Sequence, residues 1–300
     1  MDNVDIDVAN PPLGVPDTPL PPQPRPPGNV VADVLAPSSD ARPRSSFVYA
    51  LGQIEPRFPS LGIEKEFAQA VGRSDGGAMT DRQALQSVLG ERANRYLARQ
   101  MCWVFTIEGL ETYILVPRDP ADLDLFIEAV RPRPTPADVD VVIGVLGPLA
   151  DAGQCNGLVL PLVAVDNVYS FERDELVAAI PRPEDAGDDE QFRASAEEVL
   201  DRVMQLADNA GATNEHRALN YVSVRYPAIY ARTAQAHRDN RSLSSVEVRP
   251  SRLSGSRDVV DAILSYTDRS TDATEKYFVR VDVTEEFPFL VSKLAPYYER

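Results

Sequence analysis

Residues 277–283 read YFVRVDV, and the apolar side chains at every second position alternate with Arg280 and Asp282. This period of two predicts a β-strand with one buried face. Two more strand-like segments, Val246–Arg249 and Val259–Tyr266, precede this strand. The segments that connect the three strands are each about ten residues long, which favours antiparallel neighbours. We therefore expect an antiparallel sheet in the last third of the chain, closed by a helix over Phe289–Tyr298 that starts after Pro288.

Upstream of these strands the apolar residues recur at helical spacing. One amphipathic helix is predicted from a stripe made of Phe192, Ala196, Val199, Leu200, Val203 and Ala207. Gly211 suits a left-handed position at the end of this helix. A second helix is predicted from Asn214 into the 230s, with Pro227 kinking or splitting it.

The first half of the folded region mixes strands and helices. We predict strands at Phe47–Leu51, Cys102–Ile107, Thr112–Val116, Val139–Val145, Leu158–Val165 and Val168–Phe171. We predict helices at Ile63–Val71, Ala84–Gln100 and Asp122–Val130, the second behind a capping box that starts at Thr80. Because this order is mixed, the predicted class is α+β, with a mixed, largely antiparallel sheet and several packed helices.

Residues 1–45 differ from the rest of the chain, since they hold 11 of its 26 prolines. Proline removes backbone donors and favours extended conformations over a packed core. We predict a disordered arm over 1–45, which is a tether or, alternatively, a docking arm, and a globular domain over 46–300. The acidic segment at 181–190 is the best candidate for an internal subdivision.

Composition excludes several classes of protein. The formal net charge of -16 argues against a nucleic-acid partner. No apolar run is long enough to span a membrane, and the N-terminus does not resemble a secretory signal. Two cysteines are too few for a disulfide framework, so we predict a cytoplasmic protein with reduced Cys102 and Cys155.

The densest polar stretch, from Asp208 to Arg225, is the main candidate site, and an arginine-rich segment after residue 248 is the second. The candidate binding residues are Asp208, Asn209, Asn214, His216, Arg217, Asn220, Tyr221, Arg225, Arg249 and Arg252. They could hold a peptide or its terminus, with His216 as a conceivable general base. The simpler interpretation is helix capping with a buried hydrogen-bond network, and internal salt bridges for the arginines.

Other motifs carry less chemistry. Gly72–Gly76 matches the G-x-S-x-G pattern, but a helix precedes it where a hydrolase needs a strand, so we interpret it as a loop. Zinc could be assembled only from distant residues such as Cys102, Cys155 and His216, and the spacing does not indicate it. We predict no cofactor. A homodimer through Phe287, Phe289, Tyr297 and Tyr298 is a further expectation.

Several blocks in one order carry a family resemblance over the last 255 residues. The blocks are Tyr49–Gly52, Glu55–Ser60, Glu64–Phe67, Asn94–Gln100 with Cys102–Trp103, Gly144 with Gly147–Pro148, Cys155–Leu158 with Pro161, Asp208–Tyr230, Pro250–Gly255 and Arg280–Leu290. Together they resemble the C-terminal domain of unknown function of the cyanobactin maturation proteases, the PatG-type C-terminal domain.

The resemblance implies a setting rather than a reaction. In that family the domain follows a subtilisin-like protease that cleaves and macrocyclises ribosomally made precursor peptides. No segment of this chain matches the protease, so we expect a separate, noncatalytic accessory module that binds a precursor peptide or docks a peptide-modifying enzyme. The alternative is an uncharacterised peptide-modifying enzyme that uses the Asp208–Arg225 stretch.

Overall fold

The computed structural model describes residues 47–73, 79–135, 138–179, 189–204, 209–253 and 255–298. These residues belong to one compact unit, Ser45–Arg300. The predicted arm, nearly all of the predicted subdivision at 181–190, residues 74–76 of the G-x-S-x-G match and Asp208 lie outside them. In the described part of the chain, every helix is too short or too polar to cross a membrane.

The elements confirm the α+β class. The helices are α1 Leu61–Arg73, α2 Asp81–Gly90, α3 Arg95–Gln100, α4 Leu123–Ala129, α5 Arg173–Ala179, α6 Asp189–Met204, α7 Asn214–Arg225 and α8 Ala228–Arg238. The strands are β1 Phe47–Arg57, β2 Cys102–Ile107, β3 Leu110–Pro117, β4 Asp138–Leu149, β5 Pro161–Glu172, β6 Arg241–Pro250, β7 Val259–Asp268, β8 Thr274–Asp282, β9 Phe289–Leu290 and β10 Ala295–Pro296.

The first five strands close into a barrel in the order β1-β2-β3-β5-β4. All neighbours are antiparallel except β3 and β5, which run parallel. One face of these strands shares a core with α1 to α4, where Trp103 packs edge-on against Phe126 at 5.5 Å between ring centroids. The sequence predicted a largely antiparallel sheet but not its closure, because closure depends on pairs far apart in the chain.

Helix α2 begins as predicted but ends earlier. Thr80 and Gln83 form the capping box. The predicted helix over Ala84–Gln100 is nevertheless broken, since α2 stops at Gly90 and Glu91 takes an extended conformation. Asn94 is buried there and donates from Nδ2 to the Glu91 carboxylate at 3.0 Å, which holds the chain in a 3-10 turn before α3.

The second sheet has the order β10-β8-β7-β6, and its apolar face is covered by α6, α7 and α8. The predicted stripe of α6 is buried at Phe192, Ala196, Val199 and Leu200. Pro227 splits the second predicted helix into α7 and α8, as expected. Strand β8 places Val279 and Val281 in the core, and Val283 directly after it continues the predicted period of two.

Helix α7 lies between the barrel and this sheet. Ala218 and Val222 belong to the core under the second sheet, whereas Val224 packs against the outer face of β1 and β4. Tyr221 contacts both cores and meets Tyr49 of β1 edge-on at 6.1 Å. Helix α7 is therefore buried on two sides and packs against both sheets.

The predicted helix at Phe289–Tyr298 is wrong. This segment forms β9 and β10, which pair with β8. The backbone N–H of Val291 donates to Arg280 at 2.9 Å, and that of Tyr297 donates to Lys276 at 2.7 Å. The chain end satisfies the otherwise open edge of β8, and this long-range gain outweighs local helix propensity.

The prediction of reduced cysteines is also wrong, because Cys102 and Cys155 form a disulfide. Their Cα atoms are 5.7 Å apart, within the range that a disulfide requires. Cys102 opens β2, and Cys155 lies in the turn that covers a small apolar layer with Val104 and Ile114. Since the bond crosses 53 positions of sequence, no local spacing reveals it.

The disulfide predicts a measurable loss of stability on reduction. Closing a loop of this length stabilises a fold by about 4 kcal/mol through the entropy of the unfolded chain. We expect Cys155→Ala to lower the free energy of unfolding by about that amount in urea titrations. Reductant should lower the wild-type value to that of the variant and leave the variant unchanged. Two free thiols in the denatured, unreduced protein would contradict the bond.

Candidate functional site

Two asparagines of the predicted polar stretch form a buried amide pair. Asn209 donates to the Asn220 Oδ1 at 2.7 Å, and the Asn220 Nδ2 donates back at 3.2 Å. The same Nδ2 donates to the Tyr49 carbonyl of β1 at 2.8 Å, and Asn220 is 0% exposed. This network joins α7 to the barrel, and it has the geometry that the simpler interpretation of the stretch predicts.

Gly211 belongs to the same contact rather than to the end of a helix. Its φ is +70°, and a Cβ there would lie 2.5 Å from the Tyr49 carbonyl oxygen. The Gly211 carbonyl accepts from the Tyr49 N–H at 2.9 Å, while Tyr113 donates to the Ala210 carbonyl at 2.9 Å. Only glycine allows this close approach of two backbones.

Arg217 is 2% exposed and organises the turn after β8. Its guanidinium donates to the carbonyls of Val283 at 2.7 Å and Glu286 at 3.2 Å, and also to that of Glu285. Burial lowers the pKa of Arg217 to about 10. Its two terminal nitrogens thus donate mainly to main-chain acceptors of this chain.

Of the remaining residues of the stretch, Asn214 accepts a 3.4 Å bond from Arg217, whereas Arg225 lies on the barrel side of α7. Thr213, rather than Asn214, is the N-cap of α7, and its Oγ1 accepts from the His216 N–H at 3.1 Å. Arg225 is exposed and stacks on Tyr169, with the guanidinium carbon 4.5 Å from the ring centroid. Tyr221 is half-buried between the two cores.

The arginine-rich segment lies on the second sheet. Arg249 of β6 stacks on Tyr297 at 5.0 Å and lies 3.8 Å from the Glu247 carboxylate. Arg252 is exposed in the turn after β6. Arg257 pairs with buried Asp282, as the internal interpretation predicts. Arg249 and Arg257 are thus engaged by side chains of this chain.

An open cleft of about 880 Å³ lies elsewhere, at one end of the barrel. Its walls come from β1, the β2–β3 hairpin, the start of β4 and the helices α2, α5 and α6. The lining residues are Gly52, Gln53, Glu55, Pro56, Arg82, Leu85, Thr106, Glu108, Gly109, Pro134, Thr135, Asp138, Val139, Arg173 and Asp201. The sequence prediction included none of them as site residues.

The cleft exists because β1 changes partner. Its residues Phe47–Gly52 pair with β4, whereas Gln53–Arg57 pair with β2. Beyond Gly52 the seam between β1 and β4 is open, and the Gln53 Nε2 spans it to the Asp138 carbonyl at 3.2 Å. We define the open seam as residues 53–57 of β1 facing the described residues 134–135 and 138–139.

Two aspartates at the start of β4 control the seam. The Asp138 carboxylate accepts from the Thr135 N–H at 2.8 Å and pairs with Arg131. The Asp140 Oδ2 accepts from the Ile54 N–H at 2.7 Å and thereby replaces a ladder bond that β4 no longer supplies. Burial raises the pKa of Asp140 to about 6. Alternating acids in Asp138-Val139-Asp140, at the start of a buried strand, were the sequence signal for this site.

A second pair of carboxyl groups joins the barrel to the turn after β8. Asp166 is the extra residue of a bulge in β5, and Arg118 donates to both of its oxygens at 2.8 and 2.7 Å. Burial and the hydrogen-bonded Asp166 carboxylate raise the pKa of Glu286 to about 7. Although burial opposes it, hydrogen bonds with Glu286 and Arg118 lower the pKa of Asp166.

Metal ligation has no support in the described residues, where no three His, Cys, Asp or Glu side chains are grouped to hold an ion. The hypothetical zinc set is not assembled, since Cys102 and Cys155 are bonded to each other.

Comparison with known proteins agrees with the predicted resemblance. Residues 186–297 match the family model described as PatG C-terminal. The fold is similar to that of a solved structure described as "PatG Domain of Unknown Function", with a TM-score of 0.68 and 23% sequence identity. The alignment covers 84% of this chain and 99% of that one. No curated protein matches the chain. Residues 186–297 are thus similar to the PatG C-terminal family, and the chain shares its fold with the solved PatG domain.

Removing the Asn220 amide should weaken the junction between α7 and the barrel. Asn220→Ala leaves the Asn209 amide and the Tyr49 carbonyl without this partner in a buried place, so we expect a loss of about 3 kcal/mol. Urea unfolding measures it. The control is Asn214→Ala, whose half-exposed side chain accepts only a 3.4 Å bond from Arg217. Equal effects of the two substitutions would contradict the structural role.

Asp140 should make stability fall as pH rises. Its pKa of about 6 in the folded chain exceeds the ordinary value of 3.8, so the protonated form is favoured by folding. This stabilisation is complete below pH 4 and is lost through pH 6, about 3 kcal/mol in all. We expect Asp140→Asn to remove that decline between pH 4 and 7, as measured by unfolding at each pH. Asp151→Asn, at an exposed position, is the control for loss of charge; identical slopes in wild type and Asp140→Asn would refute the assignment.

Proposed function

We propose that this chain is a noncatalytic accessory module that binds a peptide in the open seam, in the maturation of ribosomally made peptides of the cyanobactin type. The observation that carries the proposal is the seam itself, where a strand of the barrel has a free edge at the wall of an accessible cleft. Pockets of several hundred Å³ with a few convergent polar groups are the usual ligand sites of proteins.

The free edge of β1 favours a polypeptide ligand. Backbone N–H and C=O groups alternate in direction along an antiparallel strand. The Ile54 N–H donates to Asp140, on the side away from β2. The backbone groups of Ile54 and Pro56 therefore face the seam. The Ile54 N–H is occupied by Asp140, and Pro56 has no N–H. The edge therefore offers carbonyl acceptors, which suit the N–H donors of an extended main chain.

Three acidic residues that line the cleft each lie close to an arginine of this chain. Asp201 pairs with Arg173 at 2.9 Å, Glu55 lies 3.4 Å from Arg57, and Asp138 pairs with Arg131. Such walls suit an uncharged main chain better than a strongly charged small molecule. The peptide setting itself comes from the PatG-type resemblance, and a peptide-modifying enzyme docked beside the bound peptide is the scaffold form of this proposal.

Binding can be tested with a precursor peptide of the cyanobactin type. We expect a fluorescently labelled precursor to bind with a Kd in the micromolar range, as measured by anisotropy. Glu55→Trp places an indole in the cleft and should weaken binding at least tenfold. Glu64→Trp, the same change on exposed α1, should leave the Kd unchanged.

Two results would overturn the proposal. One is no binding of the precursor, with or without an added peptide-modifying enzyme of that type. The other is a new precursor mass after incubation with the pure protein, since a noncatalytic module leaves the peptide unchanged.

A further inference from the structure

Strand β6 ends the second sheet on the side opposite β10 in the described part of the chain. It pairs with β7 along its whole length, from Arg241 to Pro250. Its inner side chains, Leu243, Val246 and Val248, pack on the core under the helices. The other backbone edge of this long strand has no strand beside it in that sheet, and such an edge is a template for pairing.

Two features limit the part of this edge that can pair. A bulge between Leu243 and Ser245 distorts the ladder at Ser244, whose hydroxyl donates to the Ser265 carbonyl at 3.1 Å. Pro250, which lacks an N–H, ends the strand. Between them lies a regular segment, Ser245–Arg249, which we call the open edge.

The direction of the backbone groups in the open edge follows from Ser251, the residue after Pro250. The Ser251 N–H donates to the Val259 carbonyl of β7 at 2.8 Å, so the backbone of Ser251 faces β7. Because the direction alternates along the strand, the backbone N–H and C=O groups of Glu247 and Arg249 also face β7. The backbone groups of Val246, Val248 and Pro250 therefore point away from the sheet. Pro250 thus stands where its missing N–H would point away from the sheet.

We propose that the open edge pairs antiparallel with the open edge of a second copy of this chain, with Val248 opposite Val248 on a two-fold axis. In this register each Val248 donates to the other Val248 carbonyl, and each Val246 donates to the opposing Pro250 carbonyl. Neither contact needs a donor from Pro250. Val246 and Pro250 are equally far from Val248, so the bulge and the proline bound a self-complementary segment.

Charge selects this register. The register with Val248 opposite Val248 sets Glu247 of each copy opposite Arg249 of the other, which gives two cross-strand pairs of opposite charge. Both side chains are about half exposed, at 54% for Glu247 and 41% for Arg249. Opposite charges directly across an antiparallel pair stabilise it, and like charges destabilise it. The partner inferred for this surface is therefore a second copy in an isologous dimer.

The test is sedimentation of the full chain by analytical ultracentrifugation over a range of concentrations. We expect a monomer–dimer equilibrium. Val248→Pro removes the outward N–H at the axis and should weaken dimerisation at least tenfold. Glu247→Arg alone and Arg249→Glu alone should each do the same, because each creates like charges across the axis.

An equimolar mixture of Glu247→Arg and Arg249→Glu should dimerise again, since each charge then meets its opposite. The double variant Glu247→Arg/Arg249→Glu should also recover. Circular dichroism of each variant checks that the fold is retained. A monomeric wild type would overturn the proposal. A dimer that the charge substitutions leave unchanged but that Phe289→Ser abolishes would also overturn the proposal, because it would place the interface at the aromatic C-terminus.

Discussion

The burial of α7 on two sides is the constraint on which the rest of the structure depends. A helix between two sheets must carry apolar residues around most of its circumference, and its polar groups must find partners inside the protein. Asn220 and Arg217 are those groups. One is bound to β1 and the segment before α7, and the other to the turn after β8. The polar stretch thus fixes how the barrel and the second sheet meet.

The predictions were correct for elements whose form is determined by residues adjacent in the chain. The capping box at Thr80 and the division at Pro227 each depend on a few adjacent residues, and each is found. The C-terminal strands were missed because β8 supplies their hydrogen bonds from outside the segment. The disulfide and the closed barrel were missed for the same reason, since their partners are far apart in sequence.

The candidate site shows this limit most clearly. Residue type alone made His216, Arg217 and Asn220 attractive, because polar side chains in a dense stretch serve either a ligand or the core. The structure buries two of them in internal contacts. The open seam arises instead where β1 exchanges β4 for β2, and no residue in that part of β1 carries unusual chemistry. Only the acids around Val139 gave a local sign of it.

The contact between α7 and β1 also joins a segment that is synthesised early to one that is synthesised late. Asn220 and the Tyr49 carbonyl are separated by 171 positions, and α7 covers the outer apolar face of β1 and β4 around Val141 and Ile143. As the chain leaves the ribosome, the barrel strands emerge long before that helix. A barrel that closes before residue 225 is free would expose this apolar strip to solvent and to any chaperone at the ribosome.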